Sequence, residues 1–249
     1  YEFIENFWGN FVDPKKRIFL GYLLSAILIA FFWLVFRKKF SMREAWLKIF
    51  DRKILFSKSS FADLKVFFIN RVFTFFISPL LITQLVIATA IFNVLITLDW
   101  NVSKIGQIVP TSLVIALFTM FIFTLDDLTK YFVHRWMHKV PFLWALHKVH
   151  HSAEHLTPMT IFRTHPLEGI VFSTRSAVVQ GVAISVFFYF FGNKVDLATI
   201  LGVNVFVFTF NALGSNLRHS HIGIRYWHWL EYVLISPAQH QLHHSVALE

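Results

Sequence analysis

Five histidines stand within HRWMHKVPFLWALHKVHH, from His134 to His151, and five more follow in RHSH and QHQLHH, between His219 and His244. His134 and His138 are four apart. His147, His150 and His151 fall at i, i+3 and i+4, and His240, His243 and His244 repeat that interval. On a helix such spacings put the rings on one face. His219 and His221 are two apart, which a helix would splay but a turn could aim together. Ten imidazoles exceed the four ligands of one tetrahedral zinc site, so the pattern points to two metal ions. Imidazole suits iron, zinc, copper and nickel alike, and ligand type alone does not name the metal. The chain has no cysteine, which excludes Cys-ligated zinc and iron–sulfur clusters. No glutamate is followed by a histidine three residues later, so the Glu-x-x-His pattern of soluble di-iron bundles is absent.

A ligand imidazole needs a partner on its second ring nitrogen to fix its tautomer and direction. Asp127 and Tyr131 share the helical face of His134, and Glu154 and Arg163 follow the second histidine cluster. These four are the candidates for that orienting role. His155 and His228 read as structural or interfacial, and His165 as structural or as an orienting residue.

The elements that must position these residues are apolar helices. The 249 residues are 56% hydrophobic and 18% aromatic, with 15% charged and a mean hydropathy of +0.58, the balance of an integral membrane protein. Uncharged or nearly uncharged runs at about 18–36, 73–98, 108–125, 176–191 and 197–213 suggest four to five spanning helices. With five spans threaded, Lys15, Lys16, Arg17, Lys104 and Lys194 fall on one side. The rest of the 23 Lys and Arg fall on the other, which the positive-inside rule makes cytoplasmic. All 13 histidines share that cytoplasmic side. The net charge of +9 then reflects this bias and attraction to anionic headgroups rather than nucleic-acid binding.

The third run continues as TLDDLTKYFVHRWMH until Pro141, which can end one helix and start the next. Ser236-Pro237 is a helix-start signal just before QHQLHH. Residues 41–56, with Trp46, Ile49, Phe50 and Lys53 at helical intervals, suit one helix lying in the interface or packed on the cytoplasmic part. The whole, 1–249, reads as a single domain with histidine boxes at 134–151 and 219–244. Its start at Tyr1 and its stop soon after His244 look like truncations of a longer protein.

The pieces DLTKYFVHRWMH, LWALHKVHHS, RTHPLE, RHSH and SPAQHQLHH, in that order, resemble the fatty acid hydroxylase and sterol desaturase superfamily of membrane di-iron oxygenases. The four-residue first spacing is similar to its hydroxylase side. The resemblance implies an all-α membrane anchor carrying a cytosolic helical cap with a histidine-held di-iron centre. It implies two Fe ions, with Zn as a substitute in purified samples, and O2 as co-substrate. It also implies a lipid substrate from the bilayer and electrons from a ferredoxin or b-type cytochrome with its reductase. The ligands it implies are His134, His138, His147, His150, His151, His219, His240, His243 and His244, with His221 as a tenth. The implied reaction is oxidation of an aliphatic C–H bond in a fatty acyl or sterol-like lipid, as hydroxylation, desaturation or ether-lipid oxygenation. Bacterial inner membrane and endoplasmic reticulum both fit, with the active site on the cytoplasmic side.

Two readings of another class compete. A metal transporter would carry its ligands inside the spans, near the midplane; a surface zinc hydrolase would want a carboxylate base beside the ligands, as in H-E-x-x-H, which does not occur.

Overall fold

Apolar runs without a helix breaker fold here as long helices, and polar side-chain caps start several of the shorter ones. The structure is a computed structural model that describes residues 8–9, 11–77, 83–98, 108–194 and 204–245, and among these every regular element is helical. Helix α1 (Leu20–Phe32) runs into a wide π-helical turn, Trp33–Arg37. After it come α2 (Met42–Ile49), α3 (Arg52–Leu55), α4 (Lys58–Ile77) and α5 (Gln84–Ile96). Then follow α6 (Thr111–Lys139), α7 (Pro141–His151), α8 (Pro166–Phe191), α9 (Val205–Ala212) and α10 (Pro237–His244).

Three stretches are long and apolar enough to cross a membrane: Leu20–Arg37, Thr111–Lys139 and Pro166–Phe191. The 29 residues of α6 extend about 43 Å, more than the roughly 30 Å of a hydrocarbon core. One end must therefore stand outside it, and the end bearing Lys130, His134, Arg135, His138 and Lys139 is the polar one.

One expected span takes another form. The run at 73–98 is divided between α4 and α5, because Thr83 adopts an extended backbone and its side chain accepts from the Val86 N–H, starting a new helix. Of the run at 197–213, residues 197–203 lie outside the described residues, and Val205–Ala212 is helical. The expected single helix at 41–56 is two helices: a Ser41–Glu44 capping box starts α2, which ends at Phe50, and Asp51 caps the start of α3.

The chain gathers into two compact units interleaved in sequence. The first comprises Tyr1–Val72, Lys148–His165 and Phe208–Glu249. In its core Ala26, Ala30 and Leu34 of α1 pack with Ala45 and Ile49 of α2 and with Leu217, Ile222 and Ile224. Alanines four apart make a flat strip on α1, against which the turn Ser215–His219 can lie closely.

The second unit comprises Phe73–His147 and Pro166–Val207. Val114 and Phe118 of α6 pack there on Ala183 and Phe187 of α8. On another side Gly181 lets α8 approach α5 so closely that a Cβ would come within 2.6 Å of Ile87 Cγ2. Arg175 of α8 pairs with Asp126 Oδ1 of α6 at 2.8 Å and donates to Thr129 Oγ1 at 2.9 Å, which fixes the register of the two helices.

Candidate metal centre

In the first unit, three elements bring four imidazoles together. Helix α7 supplies His150, the turn Ser215–His219 supplies His219, and α10 supplies His240 and His244. Gly214 makes the turn possible, since its φ of +93° is a left-handed conformation that favours glycine. Asn216 then anchors the turn by donating to the Arg17 carbonyl at 2.6 Å, and Gln241 of α10 donates to the Ser220 carbonyl at 2.6 Å. Helix α10 starts where the Ser236–Gln239 capping box and Pro237 fix it, and its Ala238 N–H reaches the Ile224 carbonyl. Those bonds set the facing of His240 and His244.

His219 Nε2 lies 3.1 Å from His240 Nε2 and 3.2 Å from His150 Nε2. One ring nitrogen offers either a proton or a lone pair, so it cannot make two good hydrogen bonds in both directions. A shared cation would account for both contacts: with metal–nitrogen bonds of about 2.1 Å, adjacent ligand atoms fall roughly 3 Å apart. All four ligand atoms lie within 4.8 Å of one another. Burial, reinforced by the neighbouring imidazoles, holds the pKa of His219 well below its ordinary value. This favours the neutral ring, the form in which an imidazole can coordinate a cation. His151 and His243 lie beside the four; the His151 ring stacks on His244 with centroids 4.3 Å apart and stands 4.8 Å from His243.

The second unit holds a separate triad. His134 and His138 come from the polar end of α6 and His147 from α7, after the turn that Pro141 allows. Their ring centroids form a nearly equilateral triangle with sides of 4.8, 4.8 and 4.9 Å. Their ligand atoms too lie within 4.8 Å of one another. Each group is nitrogen-only and of a size to enclose one ion, so both fit the metal ions that the spacing implies.

His221 is not brought to either group. Its Nε2 is 2.7 Å from the Lys48 carbonyl, so it ties the end of α2 to the turn. The four orienting candidates also lie elsewhere. Asp127 is exposed, Tyr131 accepts from Arg135 Nη1, and Glu154 is exposed. Arg163 bonds Asp63, Ser59 and Ser152, clamping the end of α7 next to His151 without touching an imidazole. His155 is exposed, and His228 pairs with the Tyr232 hydroxyl at 3.3 Å.

The residue that does reach an imidazole of the triad is Glu168, in the first turn of α8. Its Oε1 is 2.9 Å from His147 Nδ1, and both side chains are 2% exposed. The register explains the meeting. Glu168 precedes Arg175 by seven residues, about 10.5 Å along α8, and His134 follows Asp126 by eight, about 12 Å along α6. The Arg175–Asp126 pair therefore sets Glu168 level with the triad. The signal in the sequence is the single acid of α8, in its first turn, in RTHPLE.

The chain is 30% identical over 130 residues to a Delta(7)-sterol 5(6)-desaturase of Gibberella zeae, covering 52% of this chain and 36% of that protein. It is 28% identical over 121 residues to an alkylglycerol monooxygenase of Danio rerio, covering 48% of this chain and 23% of that one. The matched stretch thus spans about a third or less of each relative's length. No solved structure matches the chain. The fatty acid hydroxylase family model matches residues 119–249, which hold every histidine of both groups, and the chain belongs to that family, within the fatty acid hydroxylase and sterol desaturase superfamily.

Proposed function

We propose that the protein oxidises an aliphatic C–H bond of a membrane lipid with the help of two histidine-held metal ions. The observation that carries this reading is the convergence of His150, His219 and His240 through their Nε2 atoms, together with the family to which the chain belongs. His134, His138 and His147 hold one ion. His150, His219, His240 and His244 hold the other, with His151 and His243 adjoining. Iron bound there would supply the reduction of O2 and the removal of hydrogen from carbon.

The chain's own part is placement and electrostatics. His219 is kept neutral by burial, so no proton has to be displaced when a cation binds. Leu217 within the turn Ser215–His219 and Ile222 just after it are buried apolar side chains that help keep water from His219. Hydroxylation balances as R–H + O2 + 2 e− + 2 H+ giving R–OH + H2O, the electrons coming from a one-electron carrier of the ferredoxin or b-type cytochrome class. The same inputs would instead give a C=C bond and two waters in a desaturation, the activity in the name of one relative, and the monooxygenase named in the other inserts oxygen. Hydroxylation is the reading favoured here. The centre lies on the cytoplasmic side, on the strength of the uneven Lys and Arg distribution.

Metal analysis of full-length protein from iron-supplied cells tests the proposal. Two irons per chain, with O2 uptake on adding reductant and lipid, is the expected result. Stoichiometric zinc with turnover in the absence of O2 would overturn it.

A further inference from the structure

A carboxylate that is 2% exposed has to be accounted for, because a buried charge is costly unless it is paired or hydrogen-bonded. Glu168 opens α8, whose positive end favours an acid. The cation one would expect to neutralise it, Arg175 on the same helix, is committed to Asp126 and Thr129. Among the described residues the hydrogen-bond partner of Glu168 is His147 Nδ1, and its second oxygen, Oε2, is buried with no hydrogen-bond partner. A structural acid would be expected to use both oxygens. One that uses a single oxygen, on the nitrogen of a ring whose neighbours are two further imidazoles, has the geometry of a group that directs a ligand.

We infer that Glu168 is a positioning residue for the triad: accepting the Nδ1–H of His147, it fixes the tautomer that turns Nε2 toward the ion shared with His134 and His138. The inference rests on the metal-centre reading above and adds the residue that reading lacked. It differs from a packing role in what it affects. The hydrogen bond bears on one group of ligands only, so its loss must weaken one ion and spare the other.

The test compares Glu168→Gln and Glu168→Ala with the wild-type full-length protein, titrating metal-free samples with Co2+. The readouts are ions bound per chain and the visible spectrum of the bound cobalt. Wild type should bind two ions. Glu168→Gln keeps an acceptor at the same place without the charge, so it should still bind two. Its second ion should need roughly 10-fold more metal, within the 10- to 100-fold typical of such outer contacts. Glu168→Ala should retain one ion at metal concentrations that saturate wild type. Should the alanine variant fail to fold, the glutamine variant decides. A selective loss at one ion supports the inference, while unchanged affinity, or equal weakening of both ions, overturns it. Wild-type protein binding fewer than two ions would overturn the metal-centre reading itself, and this inference with it.

Discussion

Arg175 Nη1 stands 2.8 Å from Asp126 Oδ1, and this one ion pair joins α8 to α6 at the level that lets Glu168 reach the triad. Asp126 has Lys130 as a second partner, so removing Arg175 does not leave the carboxylate alone. Arg175→Ala should therefore cost about 1–3 kcal/mol, less than the loss of an isolated buried pair. It should also lower occupancy of the triad while the four-histidine group keeps its ion. Thermal unfolding in detergent and metal counting read both effects. A variant with wild-type metal content and stability would show that the pair does not set the register.

Gly214 gives a sharper local test. Its φ of +93° suits glycine, and a Cβ there would come within 3.0 Å of Leu217 Cδ1 and 3.1 Å of Ile29 Cδ1. Gly214→Ala should destabilise the protein by about 1–2 kcal/mol from backbone strain alone. Because the turn carries His219, the four-histidine group should lose affinity for its ion, and the triad should not. Selective loss from the triad instead would contradict the assignment of His219.

The histidines themselves separate by contact. His219→Ala removes the imidazole that faces both His150 and His240, and should abolish one ion and all turnover. His147→Ala should abolish the other. His221→Ala breaks a bond to the Lys48 carbonyl and should cost about 1 kcal/mol with both ions retained. His228→Ala, which loses a surface contact with Tyr232, should leave metal content unchanged. Equal metal loss in all four variants would mean that the two groups are wrongly composed.

What the sequence made legible was what repeats within a helix or breaks one. The i, i+3, i+4 histidines, the turn at Pro141 and the start of α10 at Ser236-Pro237 all follow from local rules, and each is found in place. Long-range partners did not follow. Asp126 and Asp127 are adjacent, and counting along one helix favours Asp127 as the acid nearest the ligands. The position of α8 decides otherwise, since Asp126 faces it and Asp127 is exposed. Glu168 reaches His147 across 21 residues through a register that no periodicity reveals. The break at Thr83 was hidden for a different reason: the run at 73–98 is almost uniformly apolar, and a threonine cap within it carries little signal. His219 and His221 illustrate the limit of spacing outside helices, since the turn sends one to the metal group and the other to Lys48.

Metal should also stabilise the fold. A ligand that binds only the folded state adds RT ln(1 + [L]/Kd), about 2.7 kcal/mol at a hundred times Kd. The four-histidine group joins α7, the turn Ser215–His219 and α10, elements far apart in sequence. Stripping metal with a chelator should therefore lower the unfolding temperature and expose α10 to proteolysis first. Readdition of Fe2+ or Zn2+ should restore both. An unfolding temperature indifferent to chelator would mean that no ion bridges these elements.

The orientation of the first span can be read directly, because the chain contains no cysteine and a single introduced thiol reports without background. Lys15 and Lys53 are both exposed, and Leu20–Arg37 lies between them in sequence. If that stretch crosses the bilayer with the basic side cytoplasmic, Lys15→Cys and Lys53→Cys must respond oppositely to a membrane-impermeant thiol reagent. In intact cells or sealed right-side-out vesicles, position 15 should be labelled and position 53 protected until the membrane is permeabilised. The reverse pattern would put the histidine groups on the other side, and equal labelling of both would show that α1 does not span.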